Sequence, residues 1–334
     1  MSNIKIDVLT IGNAITDVLA KVDDAFLVTQ NLNKGIMHLI ESDRAEELYE
    51  AMPDDKVQIS GGSASNTAAG VASLGGHAAF VGKVANDEVG HFFSDDLQKT
   101  GVEYKVKMLE HGAASGKSMI LITPDSERTM NTYLGACHDL TKVDMIEDQI
   151  GSAAITFMEG YLWDPPEAKL AFVQAANYAH KHERATAITL SDPFCVGRFR
   201  EEFLDLLRSQ TCDYVFANVE ELKSLYETDD LHHAVQMVAQ DCEVAAITMG
   251  ADGAMAIADG EVITVPAFKV DDIVDLTGAG DLFASGFLLA LARGQDMHQA
   301  LSLGCLCASE IISHVGARPE ENLQALAKKH GLNI

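Results

Sequence analysis

Residues 275–287 read DLTGAGDLFASGF, and their reading decides the fold. One carboxylate, Asp281, stands behind Gly278-Ala279-Gly280 and ahead of a run that is apolar nearly all round: Leu282, Phe283, Phe287, Leu288, Leu289 and Leu291. An apolar run without a polar face predicts a buried helix over 281–293. Gly294 then supplies the residue that commonly follows a helix end. The small residues form the first turn, where backbone N–H groups lack intrahelical acceptors and the helix dipole adds partial positive charge. Gly278, Ala279 and Gly280 let an anion reach those amides, so the turn suits a phosphate. In the same turn Asp281 is expected to be ionised, able to orient a hydroxyl and to take its proton late in a phosphoryl transfer. The bland alternative is a helix-capping Asp behind a simple glycine turn.

A second stretch, SGGSASNTAAGVASLGG at 60–76, places Gly61-Gly62 before an Ala-rich helix. Such a doublet permits close backbone approach to a ligand. Asn66, one turn inside the helix, can both give and accept hydrogen bonds. Tight packing of helix on sheet explains the alanines without any ligand, but not a polar Asn66 beside the doublet.

Outward from these stretches the chain alternates. Apolar β-type runs at 4–11, 78–84, 153–162, 185–192, 213–218 and 244–250 are separated by helix-like segments at 64–75, 86–100, 166–182, 199–210, 219–226 and 231–240. That order predicts an α/β fold, with a large, mostly parallel sheet covered by helices on both faces. Residues 14–58 and 104–135 break the rhythm, and are predicted to form a small β lid over one end of the large sheet. Within the second region, GAASGKS at 112–118 imitates a P-loop. It has three residues between its glycines where four are needed, and runs on as a strand, so it is read as a turn of a lid hairpin. No repeat or long linker interrupts 1–334, which predicts a single domain carrying that lid.

The chain has 334 residues, with 50 acidic against 24 basic side chains and a formal charge of -26. A surface of that sign argues against nucleic acid or anionic membranes as partners. Any anionic ligand must find local positive features. The six cysteines form no C-x-x-C pair and read as reduced, mostly buried thiols. His232-His233 are adjacent, which suits a solvated helix face better than a metal site. MSNIKIDVLTIGN leads directly into a strand without signal-peptide features, and no apolar run reaches membrane-spanning length, so a cytoplasmic location is expected.

Taken together, the two glycine-containing stretches resemble the paired signatures of the ribokinase-like (PfkB) family of carbohydrate and nucleoside kinases. The likeness extends over almost the whole chain. It implies a large α/β domain with a small β lid, and transfer of a phosphoryl group from ATP, with Mg²⁺, to an alcohol. It makes Asp281 the base, Gly278, Ala279 and Gly280 the anion hole, and Gly61 and Gly62 part of the acceptor site. Asn218-Val219-Glu220-Glu221 matches the family's N-x-x-E motif, which implies Mg²⁺ held through water near Asn218 and Glu221. Alone, the same residues read as a capping Asn with first-turn acids. Thr248, Gly250 and Gly253 of TMGADGA fall where the family holds ATP, and 309–319 near the adenine, though turn chemistry alone explains those glycines.

For the acceptor, IGNAITDV at 11–18 puts Asn13 and Asp17 just beyond the first strand, the usual ligand edge of an α/β sheet. A carboxylate can accept two hydrogen bonds from a vicinal diol, so Asn13, Asp17 and Asn66 are candidates to hold a ribose. Ile15 stands where the sugar kinases are expected to carry Asn, and the G-N-x-x-x-D spacing is more similar to adenosine kinases. So are TLSDPFCVGRF at 189–199 and DSERTMNTYLGAC at 125–137, whose Arg128 matches an arginine that closes over the phosphates. The resemblance therefore implies a kinase for the 5′-hydroxyl of adenosine. A sugar kinase for ribose, fructose or a keto-deoxy sugar acid, and a catalytically silent nucleoside-binding protein, are the alternatives. A monovalent cation such as K⁺, and a monomer or a homodimer formed through the lid, stay open.

Overall fold

The computed structural model describes residues 4–125 and 127–334; Met1, Ser2, Asn3 and Ser126, which fall in stretches quoted above, lie outside the described residues. The strands are β1 (Ile6–Ile11), β2 (Ile15–Lys21), β3 (Met37–Leu39), β4 (Val57–Gly61), β5 (Ala78–Val81), β6 (Glu103–Tyr104), β7 (Gly116–Ile122), β8 (Arg128–Tyr133), β9 (Ala153–Glu159), β10 (Ala185–Thr189), β11 (Tyr214–Asn218), β12 (Val244–Thr248), β13 (Ala254–Ala258) and β14 (Glu261–Val265). The helices are α1 (Asp24–Thr29), α2 (Ser42–Ala51), α3 (Ser63–Ser73), α4 (Glu88–Lys99), α5 (Glu147–Gly151), α6 (Pro166–Lys181), α7 (Pro193–Arg208), α8 (Val219–Leu225), α9 (Leu231–Asp241), α10 (Ala279–Ala292), α11 (Met297–Ile311) and α12 (Leu323–Lys329).

Nine strands form the large sheet in the order β14-β13-β12-β11-β10-β9-β1-β5-β6. Every pair from β12 to β6 is parallel, while β13 and β14 add an antiparallel edge. Val8, Leu9 and Ile11 of β1 are fully buried, as a strand covered on both faces requires. Phe172 of α6, Phe203 of α7, Leu222 of α8 and Val238 of α9 pack on one face. Val71 of α3, Phe93 of α4, Phe287 of α10 and Leu301 of α11 pack on the other. This is the doubly covered α/β sheet that the alternation predicts.

The 275–287 stretch becomes the buried α10, which begins two residues earlier than the apolar pattern alone suggests. Leu282, Phe283, Phe287, Leu288 and Leu289 are at most 2% exposed, and burial of each such side chain stabilises by roughly 1.5–3 kcal/mol. Reciprocal glycines set α10 tightly on α11. A Cβ on Gly286 would lie 2.7 Å from the Leu303 backbone, and one on Gly304 would lie 2.8 Å from Phe283. Gly294 follows the helix with φ +71.

Five strands make a second sheet in the order β3-β8-β7-β2-β4, backed by α1 and α2 through Val18, Leu27, Ala45, Leu48, Met119 and Leu121. Two expectations for 104–135 are corrected. Within YKVKML only Tyr104 belongs to a strand, and β6 pairs with β5 of the large sheet. The Tyr104 ring sits 5.8 Å from both Phe80 and Phe93 and its hydroxyl donates to Gly82 O, contacts that hold it there. Nor is 112–118 a hairpin turn: it leads into β7, which runs parallel to β2, and the tight turn between antiparallel β7 and β8 lies beyond Ile122. The chain passes between the two sheets twice at one place, from β1 to β2 and from β4 to α3, where Ile15 faces Gly61. Among the described residues no helix is long and apolar enough to cross a membrane.

Candidate active site

At this double crossing lies a cleft of about 770 Å³. Asn13, Asp17, Gly62, Asn66, Asn218, Glu221, Thr248, Gly250, Gly278, Ala279, Gly280 and Asp281, singled out from sequence, all line it. Gly61, Gly253 and Arg128 do not, and each has a local reason. Gly61 lies beneath the Asp17 carboxylate, which occupies the space a Cβ would take. Gly253, at φ +96, closes the turn between β12 and β13, where its N–H reaches Gly250 O and a side chain would strike Val265. Arg128 is committed to the loop before α10, with Nη2 2.6 Å from Asp275 and Nη1 donating to Thr277 Oγ1 at 3.1 Å.

The first turn of α10 opens onto the cleft. Gly278 takes a left-handed φ of +80 and lies against Ala317, whereas a Cβ on Gly280 would meet nothing within 4 Å. The amides of Gly280 and Asp281 are first-turn donors without intrahelical acceptors, so they form a cradle for an anion. Gly250 at the end of β12 is likewise unobstructed.

Asp281 is gripped from α3: Ser63 Oγ donates to Oδ1 at 2.6 Å and Asn66 Nδ2 to Oδ2 at 2.9 Å. That contact accounts for the polar Asn66 in an Ala-rich helix. Gly62 makes the turn into α3 at φ +91, where any side chain would collide with Asn13 O. Asp281, expected to be ionised at this helix start, is thus held among α3 side chains in the cleft. Burial raises its pKa, opposed by the bonds from Ser63 and Asn66 and by the Arg318 charge. Desolvation of the carboxylate outweighs those bonds and that charge.

Two further carboxyls in the cleft behave alike. Burial pushes Asp17 up to about 7, against the pull of Arg318 and Arg128. It pushes Glu159 up to about 7 as well, although three donors point at it. Those donors are Ala64 N at 2.9 Å, Asn13 Nδ2 at 2.7 Å and Asn13 N at 3.3 Å. Asn13 is thereby locked in orientation, and its Oδ1 is buried without a partner. Asn66 Oδ1 is also buried and unpaired. Unpaired buried acceptors are costly unless a ligand donor meets them.

On the opposite wall Asn218 and Glu221 form a capping box. Asn218 N and Nδ2 donate to the two Glu221 oxygens at 2.9 and 2.5 Å, and Glu221 N donates to Asn218 Oδ1 at 2.8 Å. Burial pushes Glu221 up to about 7. Among the described residues no group of three or more His, Cys, Asp or Glu could hold a metal ion.

Glu159 and Arg318 escaped the sequence reading. Glu159 had a signal, a lone acid closing an apolar strand at its ligand edge. Arg318 had none: it follows Gly316-Ala317 and reaches its partners, Ser60 and Ser65, only through the tertiary fold.

The class that fold and site define is a phosphotransferase with a hydroxyl acceptor. The chain belongs to the pfkB family of carbohydrate kinases, whose profile matches residues 37–323. It is 26% identical to the adenosine kinase of Saccharomyces cerevisiae over 94% of this chain and 97% of that one. It is 27% identical to the 5-dehydro-2-deoxygluconokinase of Bacillus subtilis over 76% of this chain and 80% of that one. Among solved structures, the adenosine kinase from Sinorhizobium meliloti superimposes with a TM-score of 0.90 at 48% identity, over 98% of this chain and 99% of that one. A probable sugar kinase protein from Rhizobium etli gives 0.91 at 47% identity, over 99% and 100%.

Proposed function

We propose that this kinase transfers the γ-phosphoryl group of ATP to the 5′-hydroxyl of adenosine. The observation that carries the reading is Asp281, held by Ser63 and Asn66 in the same helical turn as the open amide cradle. An acceptor hydroxyl set against Asp281 and a γ-phosphate set against the Gly280 and Asp281 amides would meet within one turn of backbone. The raised pKa makes Asp281 a stronger base than an ordinary carboxylate toward the hydroxyl proton as the new P–O bond forms. The cradle then stabilises charge on the transferring group.

The acceptor end is acidic, with Asp17, Glu159 and Asp281, and the arginines around it are engaged elsewhere. Arg128 pairs with Asp275, Arg198 with Asp164, and Arg318 with Ser60 and Ser65. That environment disfavours an anionic sugar acid and suits an uncharged polyol such as a ribose, whose hydroxyls can donate to Asp17 and to the unpaired oxygens of Asn13 and Asn66. Mg²⁺ would be held chiefly by nucleotide phosphates and by waters on Asn218 and Glu221, since this ion binds through one or two carboxylates plus phosphate rather than in an all-protein cage. Thr248 and Gly250 would flank the nucleotide. The small sheet would act as a lid, closing over the acceptor and excluding water as a competing nucleophile.

Coupled ADP-release rates over adenosine, other nucleosides, ribose, fructose and 5-dehydro-2-deoxygluconate test the reading. Adenosine should lead by at least two orders of magnitude in kcat/KM. A sugar or sugar acid at the head of the series would reassign the acceptor. Tight adenosine binding without any turnover would mark a silent binding protein.

A further inference from the structure

Arg318 lies in the segment between α11 and α12 and is remote in sequence from both glycine-containing stretches, yet it touches the junction between the two sheets. Its Nε and Nη2 donate to Ser60 O at 2.9 and 2.6 Å, and its Nη1 to Ser65 O at 2.6 Å. Nη2 also reaches Ser60 Oγ at 3.1 Å and Ser65 Oγ at 3.0 Å. Ser60 is the penultimate residue of β4, paired with Thr16 of β2, and its N–H is fixed from the other side by Asp96. Ser65 lies in the first turn of α3, between Ser63 and Asn66. One guanidinium thus spans Gly61-Gly62, the link between the strand beside Asp17 and the helix that grips Asp281. A planar fork with donors on three nitrogens can bridge two carbonyls in fixed geometry; an ammonium cannot.

We propose that Arg318 is a positioning residue for phosphoryl transfer, clamping the Gly61-Gly62 junction so that the acceptor-holding strand β2 and the Ser63–Asn66 grip on Asp281 keep one fixed relation. This rests on Asp281 being the base. Arg318 touches neither phosphate nor acceptor in this role; it acts through Ser60 and Ser65. Its charge has a second effect. Asp281 is faced by Ser63 and Asn66 from α3, by Glu159 from β9, by Asp17 from β2 and by Arg318, while Asp17 is faced by Arg318, by Arg128 from β8 and by Asp281. Arg318 is the cation common to both acids, so it favours the ionised form of each.

The clamp separates from mere stability through kinetics. Arg318→Lys keeps the charge and loses the fork; Arg318→Met loses both. With the acceptor that the parent enzyme turns over fastest, Arg318→Lys should lower kcat at least tenfold, leave KM for ATP within twofold and leave the acidic limb of the pH–rate profile in place. Arg318→Met should lower kcat further and move that limb to higher pH. If either arginine variant fails to fold, the double variant Ser60→Ala/Ser65→Ala, which strips the two hydroxyl contacts without leaving a charge unpaired, should still lower kcat about threefold and speed hydrogen exchange over 57–67. Parent kcat in Arg318→Lys, or in the double variant where the arginine variants do not fold, overturns the proposal. Parent turnover in Asp281→Asn would instead overturn the assignment of the base, so the two failures are distinguishable.

Discussion

Arg128 of β8 holds its guanidinium 2.6 Å from the Asp275 carboxylate, with only 13% and 8% of the two side chains exposed. Asp275 also accepts from Thr277 N, Thr277 Oγ1 and Gly316 N. One carboxylate therefore joins the small sheet, the loop before α10 and the segment that carries Arg318. Removing a single partner of a shielded pair strands the other charge, at a cost of about 3–5 kcal/mol. Arg128→Ala should therefore lower the urea midpoint markedly, and Arg128→Ala/Asp275→Ala should recover part of the loss. Additive losses in the double variant would mean that the two charges are not coupled. If Arg128 also serves the phosphates, Arg128→Lys should raise KM for ATP more than KM for the acceptor.

Asp281→Asn preserves shape but cannot take a proton; its amide oxygen can still accept from Asn66, and its amide nitrogen can donate to Ser63 Oγ once that hydroxyl turns. General-base contributions run to about 10²–10⁴-fold, so kcat should fall by that order while the thermal midpoint and acceptor affinity stay near parent values. Turnover near the parent level would remove Asp281 from its role.

The legibility of the sequence was uneven for physical reasons. The large sheet could be read because strands covered on both faces must be apolar throughout, and Val8, Leu9 and Ile11 are. The first turn of α10 could be read because small residues and an acid ahead of an apolar run mark a helix start. The partition of 104–135 could not. Tyr104 follows β-type chemistry wherever it pairs, and its choice of the large sheet depends on contacts with Phe80 and Phe93 that its own run does not show. The raised pKa of Asp281 could not either, since the dipole of its own helix is local whereas its burial comes from the tertiary fold. Arg318 and Asp275 are marked only by what the fold brings to them.

Asp17→Ala should separate the two substrates. Asp17 lines the cleft beside Asn13, on the strand that crosses from the large sheet into the small one. Acceptor affinity should fall by one to two orders of magnitude while ATP affinity changes less than threefold, as read by calorimetric titration of each ligand. Equal losses would make Asp17 a structural residue.

The cleft carboxyls also give a stability profile. Asp17, Glu159 and Glu221 are each pushed up to about 7 from their ordinary values of 3.8, 4.5 and 4.5. Between those values and 7 the folded protein holds more protons than the unfolded chain, so stability falls as pH rises through that window. The thermal midpoint of the ligand-free protein should drop between pH 5 and 8. Asp17→Asn, which cannot ionise, should flatten the slope. A midpoint that rises over this range, or an unchanged slope in the variant, would contradict the burial of these charges.

Gly278 and Gly280 sit two residues apart and should respond in opposite ways to the same added methyl group. Gly278 holds φ +80, and its Cβ would lie 2.9 Å from that of Ala317. Left-handed backbone costs an L-residue roughly 1–2 kcal/mol, so Gly278→Ala should lower the thermal midpoint before any question of chemistry arises. Gly280 is helical, with no atom within 4 Å of the added carbon, and Ala in place of a helical Gly stabilises by up to ~1 kcal/mol. Gly280→Ala should therefore melt no lower than the parent. Its methyl group would stand where the transferring phosphate must approach the amides, so kcat should fall at least tenfold with acceptor binding intact. A stable Gly280→Ala enzyme with parent kcat would show that no anion uses this turn, and would leave the glycine as part of an ordinary helix start.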